Sequence, residues 1–338
     1  MKQIHNLKNK YSMAKQRTLK KSFSLEGKGL HTGANTCITF KPAPKNHGYK
    51  IRRTDVEGQP VIDAVAENVS NTQRSTTLSG NGVSVSTVEH ALAALYASEI
   101  DNCLIEVNGP EFPILDGSSI LYIGHIKKAG IINQDAERNY ISFDHQKVQV
   151  YDEETGSSLL LLPGDTFTVQ VKVDFKSEIL NQQYASLTNL RHFATEIAPA
   201  RTFTFVREIR QLLERGLIKG GDIDNAIVIY DSVIPQKEYD RLADMAGLTH
   251  KNAGNLGYIM NKPLQFPNEP ARHKLLDIIG DLALAGGFIK GKIVANCPGH
   301  KTNTAFAYAI RKKYLSRMER KETRRYLLPE SSPVFQQA

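Results

Sequence analysis

The run HKLLDIIGD (residues 273–281) sets His273, Asp277 and Asp281 at successive i+4 steps in an otherwise apolar stretch. On a helix turning about 100° per residue, the three fall within about 80° of one another. Leu275, Ile278, Ile279 and Leu282 take the opposite side, enough of a stripe to pack against a core. A neutral imidazole and a carboxylate one turn apart can hold one metal ion. They equally suit a solvated polar face, and spacing alone leaves both open. STVEHALAAL (86–95) puts an acid beside a histidine near a helix start. Ser86 and Glu89 fit a capping box, in which Glu89 reaches back to a backbone N–H and His90 is an ordinary first-turn residue. CPGHKTNTAF (297–306) sets His300 in a loop before a helix, where an imidazole can donate a proton or bind an anion. PARTFTF (199–205) brings Arg201 and Thr202 to the start of a strand-like run.

Taken together these are the parts of a hydrolytic metal centre. His90, His273 and Asp277 offer two nitrogens and one oxygen, with a fourth position for water. Glu89 could take that water's proton while the metal polarises a carbonyl, and His300 could protonate the departing group. There is no HExxH, so the usual metalloprotease motif is absent. Cys37, Cys103 and Cys297 are widely spaced and form no CxxC, which argues against a disulfide framework and a cysteine metal site.

These residues need elements to carry them. FSLEGKGL, NTCITFKPA and GYKIRRTD alternate as strands. GKGLHTG (27–33) has G-x-G-x-x-x-G spacing with no helix pattern after it, so it reads as a glycine-rich hairpin end, not a dinucleotide loop. VSVS reads as a strand, TVEHALAALYAS as a helix, NCLIEVNG as a strand and ILYIGHIKKAG as a helix. The pattern breaks around NQDAERN (133–139), a candidate domain boundary. HQKVQVYD, SSLLLLPG and TFTVQVKVDF again alternate as strands. VREIRQLLERG is helical, NAIVIYD a strand, residues 233–268 polar and irregular, KGKIVANC a strand, and a last helix starts near Asn303. Two halves of strands with a few helices imply α+β domains, with a structural duplication in view but no clear sequence repeat.

At 338 residues the chain is too long for one ordinary core and reads as two domains. With 41% hydrophobic and 23% charged residues its composition is that of a soluble globular protein. No apolar run approaches the ~18–20 residues of a membrane span. The longest, LALAGGFIKGKIVANC, is broken by Lys290 and Lys292. The basic start has no apolar segment or cleavage site, so a cytoplasmic protein is expected. The net charge of +8 sits mainly at the two ends. That leaves a nucleic-acid-binding module as the alternative reading, weakened by a nearly balanced centre and by basic runs without interleaved aromatics.

The chain closely resembles the zinc-dependent deacetylases that remove acetate from UDP-3-O-acyl-N-acetylglucosamine, the committed step of lipid A synthesis. The matching segments are QRTLKKSFSLEGKGLHTG, STVEHALAAL, EIDNCLIEVNGPEFPILDGSS, ARTFTF, GLIKGGDIDNAIV, HKLLDIIGD and GHKTNTAF, in the family's order from about residue 16 to about 310. The resemblance implies one catalytic Zn2+ on His90, His273 and Asp277, with Glu89 as general base. It implies that His300 is a positively charged group near the oxyanion and leaving amine, oriented by Asp281, and that Thr202 donates to the tetrahedral intermediate. Lys274, Phe203, Gly221 and Asp222 match substrate-contacting positions. The implied fold is an α+β two-domain sandwich, each domain a sheet layered with helices and the site between them. The expected divisions are a basic extension at 1–15, domains at 16–135 and 136–312, and a basic tail or linker at 313–338. Within the second domain an acyl-chain insert is expected near 202–222, supplied by VREIRQLLERGLI, and a surface insertion near 233–262. In some relatives the deacetylase continues into a hydroxyacyl-carrier-protein dehydratase domain. The tail here resembles a linker that stops short, so no second activity is expected. A monomer without nucleic acid or a transmembrane segment is expected.

Overall fold

Alternation along the strand Asn35–Pro42 turns Thr36, Ile38 and Phe40 inward while their neighbours face outward, the pattern of a sheet with one covered face. The computed structural model describes residues 14–143, 146–246, 250 and 252–327. Among them a first five-stranded sheet has the order Phe23–Lys28, Asn35–Pro42, Cys103–Val107, Tyr49–Arg53, Val61–Asp63. A second has the order Val148–Tyr151, Ser158–Leu162, Gly291–Asn296, Phe167–Val173, Gln183–Leu187. In both, the strand that comes last in the chain lies in the middle, antiparallel to the second and parallel to the third. The two halves therefore repeat one topology, the duplication that the sequence left unproven.

The helices repeat it too. They are α1 (Glu89–Ala97), α2 (Ile120–Ala129), α3 (Phe193–Glu196), α4 (Val206–Glu214), α5 (Gln236–Ala246), α6 (Glu269–Ala283) and α7 (His300–Leu327). Helices α1 and α2 flank the last strand of the first sheet, and α6 and α7 flank that of the second. Each half also carries an extra three-stranded sheet at the same point, between its fourth strand and its central helix, α1 or α6. In the first half this is Val69–Asn71, Thr77–Gly80 and Val83–Val85; in the second it is Phe203–Phe205, Ile227–Tyr230 and Gly257–Ile259.

The sheets lie outside and the helices between them, with α1 packed on α6. One continuous core joins Ile38 and Ile105 of the first sheet, Leu92 and Leu95 of α1, Leu275 and Ile279 of α6, and Val169 and Ile293 of the second sheet. Both central helices are buried on all sides, which explains why α1 is nearly all apolar. No described helix is long and apolar enough to cross a membrane.

The α+β reading holds, and four local readings change. The break expected at 133–139 overlaps the strand Ile131–Glu137, paired with Lys15–Leu19; Asn133, Asp135 and Glu137 face outward on this two-stranded sheet. Residues 233–262, read as an irregular surface insertion, include α5 and the strand Gly257–Ile259. There Tyr239, Leu242, Ala243 and Ile259 close a core with Val206 and Ile209 of α4. Within α5 the buried Tyr239, Leu242 and Ala243 recur at three- and four-residue steps, one side of an otherwise polar helix. The last helix begins at His300, not Asn303, because Asn303 N–H already donates to Gly299 O. That helix runs to Leu327 through the first part of the expected linker; residues 1–13 and 328–338 lie outside the described residues.

Candidate functional site

The N-terminal end of α1 and the middle of α6 meet at the junction of the halves. There one ligand atom each from His90, His273 and Asp277 lies within 4.8 Å of the others. His273 Nε2 stands 3.3 Å and His90 Nε2 4.0 Å from Asp277 Oδ1, and the imidazoles meet edge-on with centroids 5.0 Å apart. All three residues are buried, so this side of HKLLDIIGD is not a solvated face: it packs toward α1 and lines a cavity.

The donors suit a cation. Ala200 O lies 3.0 Å from His273 Nδ1, and since a carbonyl only accepts, that nitrogen carries the proton. The Nε2 lone pair therefore faces Asp277 Oδ1, a buried oxygen with no hydrogen-bond partner. Burial keeps both imidazoles neutral: it pushes His90 down to about 3, helped by His273, and it lowers His273. Burial alone would raise Asp277, but Lys274 and the surrounding histidines hold its carboxyl below the usual range. Two lone pairs facing each other at this distance repel unless a positive charge lies between them. The second oxygen, Asp277 Oδ2, accepts from Lys274 Nζ at 2.9 Å.

Beside this trio lies an acid–base pair. The capping box does not form: Ser86 Oγ turns to Pro110 O, and Glu89 Oε2 accepts from Thr76 N–H at 3.1 Å. The Ser86 N–H that Glu89 would cap already donates to Pro110 O, and the helix starts at Glu89 itself. Burial raises the Glu89 carboxyl to about 7 against the pull of His300. His300 Nε2 is 3.7 Å from Glu89 Oε1, and its Nδ1 donates to Asp281 Oδ2 at 2.9 Å. Burial would lower His300, but Asp281 and Glu89 overcome it and push the imidazole up to about 9.

A cavity of about 210 Å³ opens onto these groups and is bordered also by Thr202, Phe203 and Lys274. Thr202, Phe203, Leu30 and Arg74 are shared with a second cavity of about 340 Å³, lined on its apolar side by Ile209, Leu212 and Ile218. Thr202 is held in place by its N–H to Gly117 O and by Ile227 N–H to its own carbonyl. Phe203 lies 6.3 Å from the His273 ring and 5.4 Å from Lys274 Nζ. Gly221 and Asp222 border only the larger cavity, away from the trio, where Asp222 Oδ1 accepts from the N–H groups of Asp224 and Asn225.

Several residues at the site receive no role from the sequence reading. Thr76 touches Glu89, Asp281 and His300 from a turn without a motif. Glu111, fully buried, ties down the GKGLHTG hairpin by accepting from His31 N–H, Thr32 N–H and the Thr32 and Thr87 hydroxyls. Arg201, read as half of a weak pair with Thr202, is ion-paired at 2.8 Å with buried Glu269 at the start of α6.

Two sheet-and-helix halves bury two imidazoles, a carboxylate and an acid–base pair at their junction, and together they define an α+β chain with its candidate site between the halves. The family described as UDP-3-O-acyl N-acetylglycosamine deacetylase matches residues 16–257 and 243–312, and the chain belongs to it. It is 58% identical over 300 residues to the bifunctional enzyme LpxC/FabZ of Bacteroides thetaiotaomicron, a match covering 89% of this chain and 65% of that protein. To the UDP-3-O-acyl-N-acetylglucosamine deacetylase of Thermosynechococcus vestitus it is 39% identical over 295 residues, covering 87% and 93%. The corresponding enzyme of Myxococcus xanthus is 38% identical over 289 residues, covering 85% and 83%. The chain thus spans just under two thirds of the length of the bifunctional relative.

Proposed function

We propose that this protein hydrolyses the N-acetyl group of UDP-3-O-acyl-N-acetylglucosamine, giving the free amine and acetate, the committed step of lipid A biosynthesis, with one zinc ion held by His90, His273 and Asp277. The observation that carries the reading is the convergence of those three donors, with an unpartnered Asp277 oxygen, beside Glu89. When bound, zinc supplies Lewis acidity, lowering the pKa of water and polarising the amide carbonyl.

The chain's own residues supply the rest. Glu89 takes the proton of the attacking water; its raised affinity for a proton suits a base that must accept one near neutral pH. His300, kept cationic by Asp281, faces the negative charge that develops on the former carbonyl oxygen, and Thr202 offers a hydroxyl to the same charge. The leaving amine takes its proton from His300 or from protonated Glu89, which lie together. Lys274 and Phe203 border the same cavity and contact the sugar nucleotide. The apolar cavity along Ile209, Leu212 and Ile218 takes the acyl chain, with Gly221 and Asp222 at its wall.

Metal analysis combined with acetate release from the substrate, with and without chelator, tests this. The expected result is one zinc per chain, loss of turnover on chelation and recovery on adding zinc. Turnover that survives complete removal of metal, or a metallated protein that releases no acetate, would overturn it.

A further inference from the structure

We propose that Thr76 is a positioning residue for this hydrolysis, tying the base Glu89 and the Asp281–His300 pair into one unit; the inference rests on the deacetylase reading above. Its backbone N–H donates to Glu89 Oε2 at 3.1 Å, which leaves Oε1 as the oxygen turned toward His300. Its hydroxyl lies 2.6 Å from Asp281 Oδ1 and 3.2 Å from His300 Nδ1. A hydroxyl has one proton, and the carboxylate takes it; toward His300 the Thr76 oxygen is an acceptor. Asp281 is then held on both oxygens, by Thr76 on Oδ1 and by His300 Nδ1 and Asn303 Nδ2 on Oδ2.

Thr76 is fully buried and does not border the cavity over the trio. The hydrogen bonds of its N–H and hydroxyl go to Glu89, Asp281 and His300 and to none of the three donor side chains, so it acts through those residues. Its carbonyl accepts from Val88 N–H, the residue just before α1, so the loop carrying it is also tied to the helix carrying the base. Without the hydroxyl, Asp281 Oδ1 would be a buried, charged acceptor without a donor. Its remaining strong partner is His300 Nδ1–H, and the imidazole would follow the carboxylate out of line.

Thr76→Val removes the hydroxyl while keeping shape and the N–H; Thr76→Ser keeps both polar groups. A lost hydrogen bond to a charged group lowers kcat for Thr76→Val by about tenfold or more, with KM within about twofold. Zinc content is unchanged, and Thr76→Ser stays within about threefold of the parent. In metal-free protein, the imidazole N–H resonance of His300, assigned by its loss in His300→Gln, moves downfield in Thr76→Val as Asp281 leans more on His300. It stays in place in Thr76→Ser. Should the valine variant not fold, Thr76→Ala carries the same comparison. A valine or alanine variant with parental kcat overturns the proposal, and so does a serine variant as slow as the valine. If the parent itself releases no acetate, the deacetylase reading fails, and an unmoved His300 resonance then rejects the coupling separately.

Discussion

Gly280 of α6 lies against the backbone of Glu89 at the start of α1. A Cβ at Gly280 would stand 2.8 Å from the carbonyl carbon of Glu89 and nearer still to its oxygen. The obstacle is helix backbone, which cannot turn aside as a side chain could. The closeness of the two helices, and so the meeting of His90 with His273 and Asp277, depends on the missing methyl group. Gly280→Ala is expected to lower unfolding stability by about 2–3 kcal/mol, the scale of overpacking a tight core, although alanine is the better helix former. It should also weaken zinc binding. Urea titration and metal stoichiometry check both; a stable variant with full zinc would show that the helices can part without cost.

Glu89 gives the second prediction. Its carboxylate touches Thr76 and faces His300, but none of the three donors is held by it. Glu89→Ala should therefore retain zinc and lose roughly 10²–10⁴-fold in kcat, the usual scale for a general base. Single-turnover acetate release with parallel metal analysis reads the two quantities, and unchanged turnover would remove Glu89 from the mechanism.

How far these groups could be seen in the sequence differs by their physical origin. His273 and Asp277 stand out because a helix repeats its face every three to four residues, so two candidate donors on one helix leave a local signature. His90 and Glu89 stay ambiguous because Ser-x-x-Glu is equally the pattern of a helix cap, and only burial decides between them. Thr76 and Gly280 leave no signature, since their importance lies in what approaches them from distant parts of the chain. The strands are legible from alternation, but the order that makes the halves alike is not, because pairing across a sheet is non-local. Residues 233–262 were obscured by their polarity, which hides a helix that buries only a few apolar side chains.

Arg201 and Glu269 form a buried ion pair that neither cavity nor solvent reaches. Arg201 binds Glu269 Oε1 through both its N–H and Nε, and Gln265 N–H takes Glu269 Oε2. The pair fixes the entry of α6 beside Ala200, whose carbonyl orients His273, and beside Thr202. Removing one partner of a buried pair leaves the other charge stranded, at a cost of about 3–5 kcal/mol. Arg201→Met should be destabilised on that scale and lose zinc affinity, though Arg201 makes no hydrogen bond to the side chains of His90, His273 or Asp277. Arg201→Met paired with Glu269→Met should recover much of the stability, because apolar replacements strand no charge. Urea unfolding of the single and double variants decides; a double variant no better than the single one would place the loss in packing.

The pH dependence of stability follows from His300. It is faced by Asp281 from α6, by Glu89 from α1 and, at longer range, by Asp277, and these carboxylates outweigh burial to raise it to about 9. A group whose pKa is higher folded than unfolded stabilises fully below its unfolded value, near 6.5, and loses that contribution as pH rises through its folded value. The window is therefore about pH 6.5 to 9, and the contribution at its acid end is at most about 3 kcal/mol. In metal-free protein the parent should lose stability across that window faster than Asp281→Asn, whose His300 lacks its nearest carboxylate. Unfolding free energies by urea titration from pH 6 to about 9.5 would show the two curves converging as the imidazole gives up its proton. Parallel curves would mean that Asp281 does not hold His300 in its charged form.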